Sequence, residues 1–124
     1  MRLALELRAG TRRMPLATSG DNTTVMTLDQ VRARREAIRQ AVQSAGGVNP
    51  RLFGSVVRGV ADENSDVDIL IDFQEPQPEG FAFFGALDRM ERELGQLLGA
   101  PVHVSVVDPA STAGKRILAE AVPL

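Results

Sequence analysis

A chain of 124 residues, 44% hydrophobic and 24% charged, is the size of one domain and can bury roughly two-thirds of its unfolded surface without staples. Cysteine is absent and His103 is the single histidine, which excludes disulfides, thiolate metal sites, a cysteine nucleophile and a multi-histidine zinc centre, and nearly excludes a Ser-His-Asp triad. The net charge of −2 conceals ten Arg against four acids in residues 1–61 and ten acids against two Arg in residues 62–93; such an acidic block is a metal-binding centre, a surface for a basic partner or a solvated face.

Residues 1–25 differ in character from the rest. Met1 to Arg8 alternates apolar and polar residues, which suits an edge strand as well as a helix, and Gly10 to Thr24 is small, polar and interrupted by Pro15. This stretch is expected to be a basic arm or linker, or an overlong start ahead of a domain at 26–124. No apolar run reaches the roughly 20 residues needed to span a bilayer, and no export segment follows Arg2 or Arg12-Arg13, so a cytoplasmic protein is expected.

Thr27-Leu28-Asp29-Gln30 has the form of a capping box. The helix it opens places Leu28, Val31, Ile38, Ala41 and Val42 on one stripe and should stop at Gly46-Gly47, leaving Arg32, Arg34, Arg35 and Arg39 on the other faces as solvated surface or as contacts to phosphate or an acidic partner. Arg51-Leu52-Phe53 reads as a short strand running into Gly54-Ser55, followed by a brief helix over Val56 to Ala61 and a polar turn at Asp62-Glu63-Asn64-Ser65. Asp66 to Phe73 is the clearest strand, with Val67, Ile69, Ile71 and Phe73 on one face and Asp66, Asp68, Leu70 and Asp72 on the other. Pro76, Pro78 and Gly80 mark a loop. Phe84, Leu87, Met90, Leu94, Leu97 and Leu98 then recur at helical spacing up to Gly99, Pro101 to Val107 is extended, and Ser111 to Val122 closes as a helix. The order α-β-α-β-α-β-α predicts an α/β (α+β) domain, a small mixed sheet of about three to four strands flanked by helices.

Two features carry chemistry. Asp66 and Asp68, at i and i+2 on a strand, point the same way with their bases about 6–7 Å apart, so both can reach one divalent ion. A harmless exposed strand face would also carry such a pair. Upstream, Gly54-Ser55 sits between a strand end and a helix start, where glycine permits close approach of a phosphate and the serine hydroxyl adds a donor; Arg58, one turn on, offers a forked donor pair.

Taken together, Phe53-Gly54-Ser55-Val56-Val57-Arg58-Gly59 followed by Ser65-Asp66-Val67-Asp68-Ile69-Leu70-Ile71 resembles the signature of the minimal nucleotidyltransferases of the polymerase-β-like superfamily. The resemblance covers about residues 27–124 and includes the closing Arg116-Ile117-Leu118-Ala119-Glu120-Ala121-Val122-Pro123-Leu124. It implies the nucleotidyltransferase fold and transfer of AMP from ATP with Mg²⁺ held by Asp66 and Asp68. It also implies a nucleotide site at Gly54, Ser55, Arg58 and Ser65, and an antitoxin role in complex with a HEPN-type toxin partner that some members adenylylate. The family pattern places a third carboxylate on the next strand; here Pro101-Val102-His103-Val104-Ser105-Val106-Val107-Asp108 puts His103 or Ser105 at that position. His103 is a structural strand histidine, a substitute base or metal ligand, or a remnant of a lost site. Asp72 lies about 13 Å from Asp68 along the strand, too far to share an ion.

The alternative to an enzyme is a binding module on the same fold that neutralises its partner by contact alone. Transfer to a small molecule is disfavoured for want of a second domain. Nucleic-acid binding by the Arg-rich half is the weaker option, since all five aromatics are Phe and base stacking would be poor.

Overall fold

The computed structural model describes residues 26–124; the expectations for the arm and linker before Met26 lie outside these residues. The elements are α1 (Leu28–Arg32), α2 (Arg35–Ser44), β1 (Gly47–Phe53), α3 (Ser55–Arg58), β2 (Val67–Phe73), α4 (Phe81–Leu98), β3 (Val102–Ser105), α5 (Thr112–Glu120) and β4 (Val122–Pro123). The four strands form one sheet in the order β3-β2-β1-β4. β1 pairs antiparallel with β2 and β4, while β2 and β3 run parallel through the α4 crossover, so the mixed sheet flanked by helices is as the sequence predicts.

The core forms where the apolar stripes of α2 and α4 meet one face of the sheet. Ile38, Val42, Leu52, Val67, Ile69, Ile71, Met90, Leu94 and Val104 are buried together, and removing each of these side chains from water contributes about 1.5–3 kcal/mol. Leu70, on the opposite face of β2, is fully buried as well. That opposite face carries Asp68 in its open part.

Several boundaries differ from the sequence pattern, each through a non-local contact. The capping box forms, with Gln30 N–H donating to Thr27 Oγ1 and Thr27 N–H to Gln30 Oε1. The single helix expected from it is instead broken at Ala33-Arg34, where the Arg34 side chain reaches across to donate to the Leu97 carbonyl of α4. β1 begins four residues before Arg51 and passes through Pro50. A register irregularity between Val48 and Arg51, with Asn49 at φ 59, accommodates the missing N–H of proline. The short helix starts at Ser55 and is over by Arg58 rather than running from Val56 to Ala61. β3 stops at Ser105, the last residue that has a partner on β2. The final helix ends at Glu120, and Val122–Pro123 leaves it to pair with Leu52 and Arg51.

Candidate functional site

The antiparallel register that sets Phe53 against Asp68 delivers Gly54 to the side of the Asp68 carboxylate. Gly54 has φ 81 and ψ −152, a conformation essentially reserved for glycine. A Cβ built there would collide with Asp68 Oδ2 and stand 3.2 Å from Cγ. The turn and the strand acid are therefore packed as closely as a residue without a side chain allows. Ser55 opens α3 directly beyond the turn.

Asp66 precedes β2 and is exposed; Asp68 is half-buried. Burial raises the Asp68 pKa above the ordinary aspartate range, opposed by the charge of His103 and reinforced by that of Asp66, with Arg58 lowering it and Glu120 raising it by smaller amounts. A carboxylate withdrawn from water beside a second acid is a natural place for a cation. Among the described residues no group of three or more His, Cys, Asp or Glu side chains is placed to hold a metal. Two hard oxygen donors do fit Mg²⁺ in its usual manner, in which one or two carboxylates are completed by water and substrate phosphates.

The remaining expected residues fall as follows. Ser65 is engaged in its own turn, its hydroxyl 2.9 Å from the Asp62 N–H and 3.2 Å from Asp62 Oδ1. Arg58 is paired with Glu120, Nη1 to Oε1 at 2.7 Å. His103 sits opposite Asp68 in the parallel pairing, and Ser105 opposite Leu70, so of the two third-position substitutes it is His103 that neighbours the acid. His103 Nδ1 is 3.3 Å from Glu91 Oε2, which also accepts from the Val104 N–H on the free edge of β3. Asp72 is taken up by Arg51 at 3.1 Å and by Asn49. Asp108 accepts from the Ala110 N–H ahead of α5.

Two acids that contact these residues, Glu120 and Glu91, are not among the site residues expected from the sequence. Glu120 accepts from the Gly54 N–H at 2.6 Å, and its contacts to Arg58 first and Gly54 second hold its carboxyl below the usual glutamate range. The likeness of the closing segment to the family tail is the one feature that pointed toward it.

Comparison with known proteins shows the family and the fold. The family model described as "Nucleotidyltransferase domain" matches residues 35–124. A curated relative, the protein adenylyltransferase MntA of Thermococcus cleftensis, is 42% identical over 52 residues, covering 41% of this chain and 52% of the relative, so the match spans about half the relative's length. A solved structure described as a minimal nucleotidyltransferase is 38% identical with a TM-score of 0.61, covering 80% of this chain and 97% of its own.

Proposed function

Since this chain belongs to the nucleotidyltransferase domain family, we propose that it transfers AMP from ATP to a protein acceptor, a HEPN-type toxin that it neutralises as the antitoxin. The observation that carries the reading is the packing of Gly54 against Asp68, which sets the glycine turn directly beside the strand carboxylate. That a relative sharing the matched segment is named a protein adenylyltransferase supports a protein rather than a small-molecule acceptor.

In the reaction, an acceptor hydroxyl oxygen bonds to the α-phosphorus of ATP. The bond from that phosphorus to the oxygen bridging toward the β-phosphate breaks, pyrophosphate leaves, and the hydroxyl proton passes to a base. Asp66 and Asp68 would hold Mg²⁺, which when bound supplies positive charge against the triphosphate as negative charge shifts to the leaving group. Gly54 lets the backbone approach the phosphates, and the Ser55 hydroxyl offers a donor to them. The free guanidinium donors of Arg58 supply a charge on the same side. His103, opposite Asp68 in the β2–β3 pairing, would serve as the base that takes the proton. Ser65 acts at one remove, by fixing the turn that leads into Asp66.

A second reading has its own observation: with His103 in place of the third acid and no three-ligand cluster among the described residues, the fold would neutralise its partner by complex formation alone. Incubation with a purified HEPN-type toxin, ATP and Mg²⁺, followed by intact-mass measurement, separates the two. Added AMP on the toxin, lost in Asp66→Ala/Asp68→Ala, supports transfer. Full neutralisation by that variant without added mass supports binding.

A further inference from the structure

Glu120 is not among the residues to which the nucleotide reading assigns a role, yet its carboxylate touches two members of the expected site. Oε2 accepts from the Gly54 N–H and Oε1 from Arg58 Nη1, contacts that span 66 and 62 residues of sequence. The end of α5 delivers it, and the pairing of Val122 with Leu52 pins the following residues to the same strand that leads into Gly54. The side chain is 26% exposed, so it stands at the mouth of the site rather than within the core.

A carboxylate beside a triphosphate should repel it. The Arg58 ion pair offsets that repulsion. What the carboxylate provides in return is order. Gly54 occupies a backbone region where glycine is otherwise free to move, and Glu120 accepts its amide hydrogen. The same carboxylate restrains the Arg58 side chain, which is itself 55% exposed and would otherwise sample many rotamers.

We propose that Glu120 is a positioning residue for the nucleotide turn. It fixes the peptide at Gly54 and the guanidinium of Arg58, so that Ser55 and the outward donors of Arg58 stay aimed at the phosphates. The inference rests on the nucleotide-site reading above. The opposite role, an anionic plug that ATP must displace, predicts the opposite sign.

Calorimetric titration of the full chain with a non-hydrolysable ATP analogue and Mg²⁺, well below the thermal midpoint, decides it. Glu120→Ala is expected to weaken binding about tenfold, the effect of losing a charge-assisted hydrogen bond. Glu120→Gln, which keeps one acceptor oxygen for the Gly54 N–H, is expected to recover part of that loss; if the alanine variant does not fold, a several-fold weakening in the glutamine variant carries the test. A merely structural role lowers the midpoint but leaves the affinity of the folded protein unchanged, and that result overturns the proposal. Tighter binding in Glu120→Ala overturns it in favour of the plug. A wild-type chain that binds no nucleotide overturns the nucleotide-site reading and this inference with it, whereas wild-type binding with an unaffected Glu120→Ala overturns the inference alone.

Discussion

Replacing Gly54 with alanine tests the closest contact of the site. The added Cβ meets two obstacles: the backbone at φ 81, ψ −152, which costs a non-glycine residue about 1–3 kcal/mol, and the Asp68 carboxylate, which must move to make room. Gly59→Ala is the control. Gly59 also has a positive φ, at 73, but nothing lies within 4 Å of a Cβ placed there, so only the left-handed penalty of about 1–2 kcal/mol applies. For a domain of this size each kcal/mol moves the thermal midpoint by about 4–8 °C, so both variants melt earlier and Gly54→Ala earlier of the two. The sharper difference is in ligand response. A nucleotide analogue with Mg²⁺ at about 100 times its dissociation constant stabilises a folded protein by about 2.7 kcal/mol, and that upward shift should survive in Gly59→Ala and vanish in Gly54→Ala. A Gly54→Ala protein that melts with the control and keeps its ligand-induced shift would refute the argument that this turn and Asp68 share one tightly fitted site.

Other consequences follow from the same geometry. Because the Asp68 pKa is raised chiefly by burial, the native state favours its protonated form, so the cost of the charged form is absent below the unfolded value and fully present above the folded one. Asp68→Asn should therefore melt higher than wild type at pH 7–8, with the gap closing as the pH falls toward 4; a variant less stable at neutral pH contradicts this. His103→Asp places a carboxylate beside Asp68 in the β2–β3 register and should lower the Mg²⁺ concentration needed for nucleotide binding. An unchanged Mg²⁺ requirement would show that position 103 does not stand in for the missing acid. Phe81 is 96% exposed, so Phe81→Ser should leave the thermal midpoint of the isolated chain within about 2–4 °C of wild type, since a surface change typically stays near ±0.5 kcal/mol; a larger fall would mean that this ring packs in solution.

The parts of the fold that were legible in the sequence are those governed by neighbours in the chain. The capping box at Thr27 and Gln30, the alternation of β2, the stop of α4 at Gly99 and the start of α5 at Ser111 each depend on residues a few positions apart. The break at Ala33-Arg34 carries no glycine or proline and is marked by a contact with Leu97, 63 residues away. β4 looked like the end of a helix because two residues hold no periodicity, and its pairing with Leu52 and Arg51 comes from the far side of the chain. The site divides in the same way. Gly54 follows β1 directly and Asp68 lies on β2, its antiparallel partner, so the approach of these two was foreseeable once those strands were taken as neighbours. Glu120 and Glu91 reach the site from α5 and α4 by side-chain contacts that no spacing rule encodes. Arg58, a phosphate contact in the sequence reading, has a partner in Glu120 that its spacing from the turn could not reveal.

In the proposed function, Asp66 and Asp68 form one metal-and-nucleotide site with the Gly54-Ser55 turn. Paramagnetic titration with Mn²⁺ in place of Mg²⁺, with and without an ATP analogue, tests that claim most directly. Ion binding by the wild type should strengthen when nucleotide is present and be lost in Asp66→Asn/Asp68→Asn. Nucleotide-dependent ion binding that persists in the double variant would contradict it.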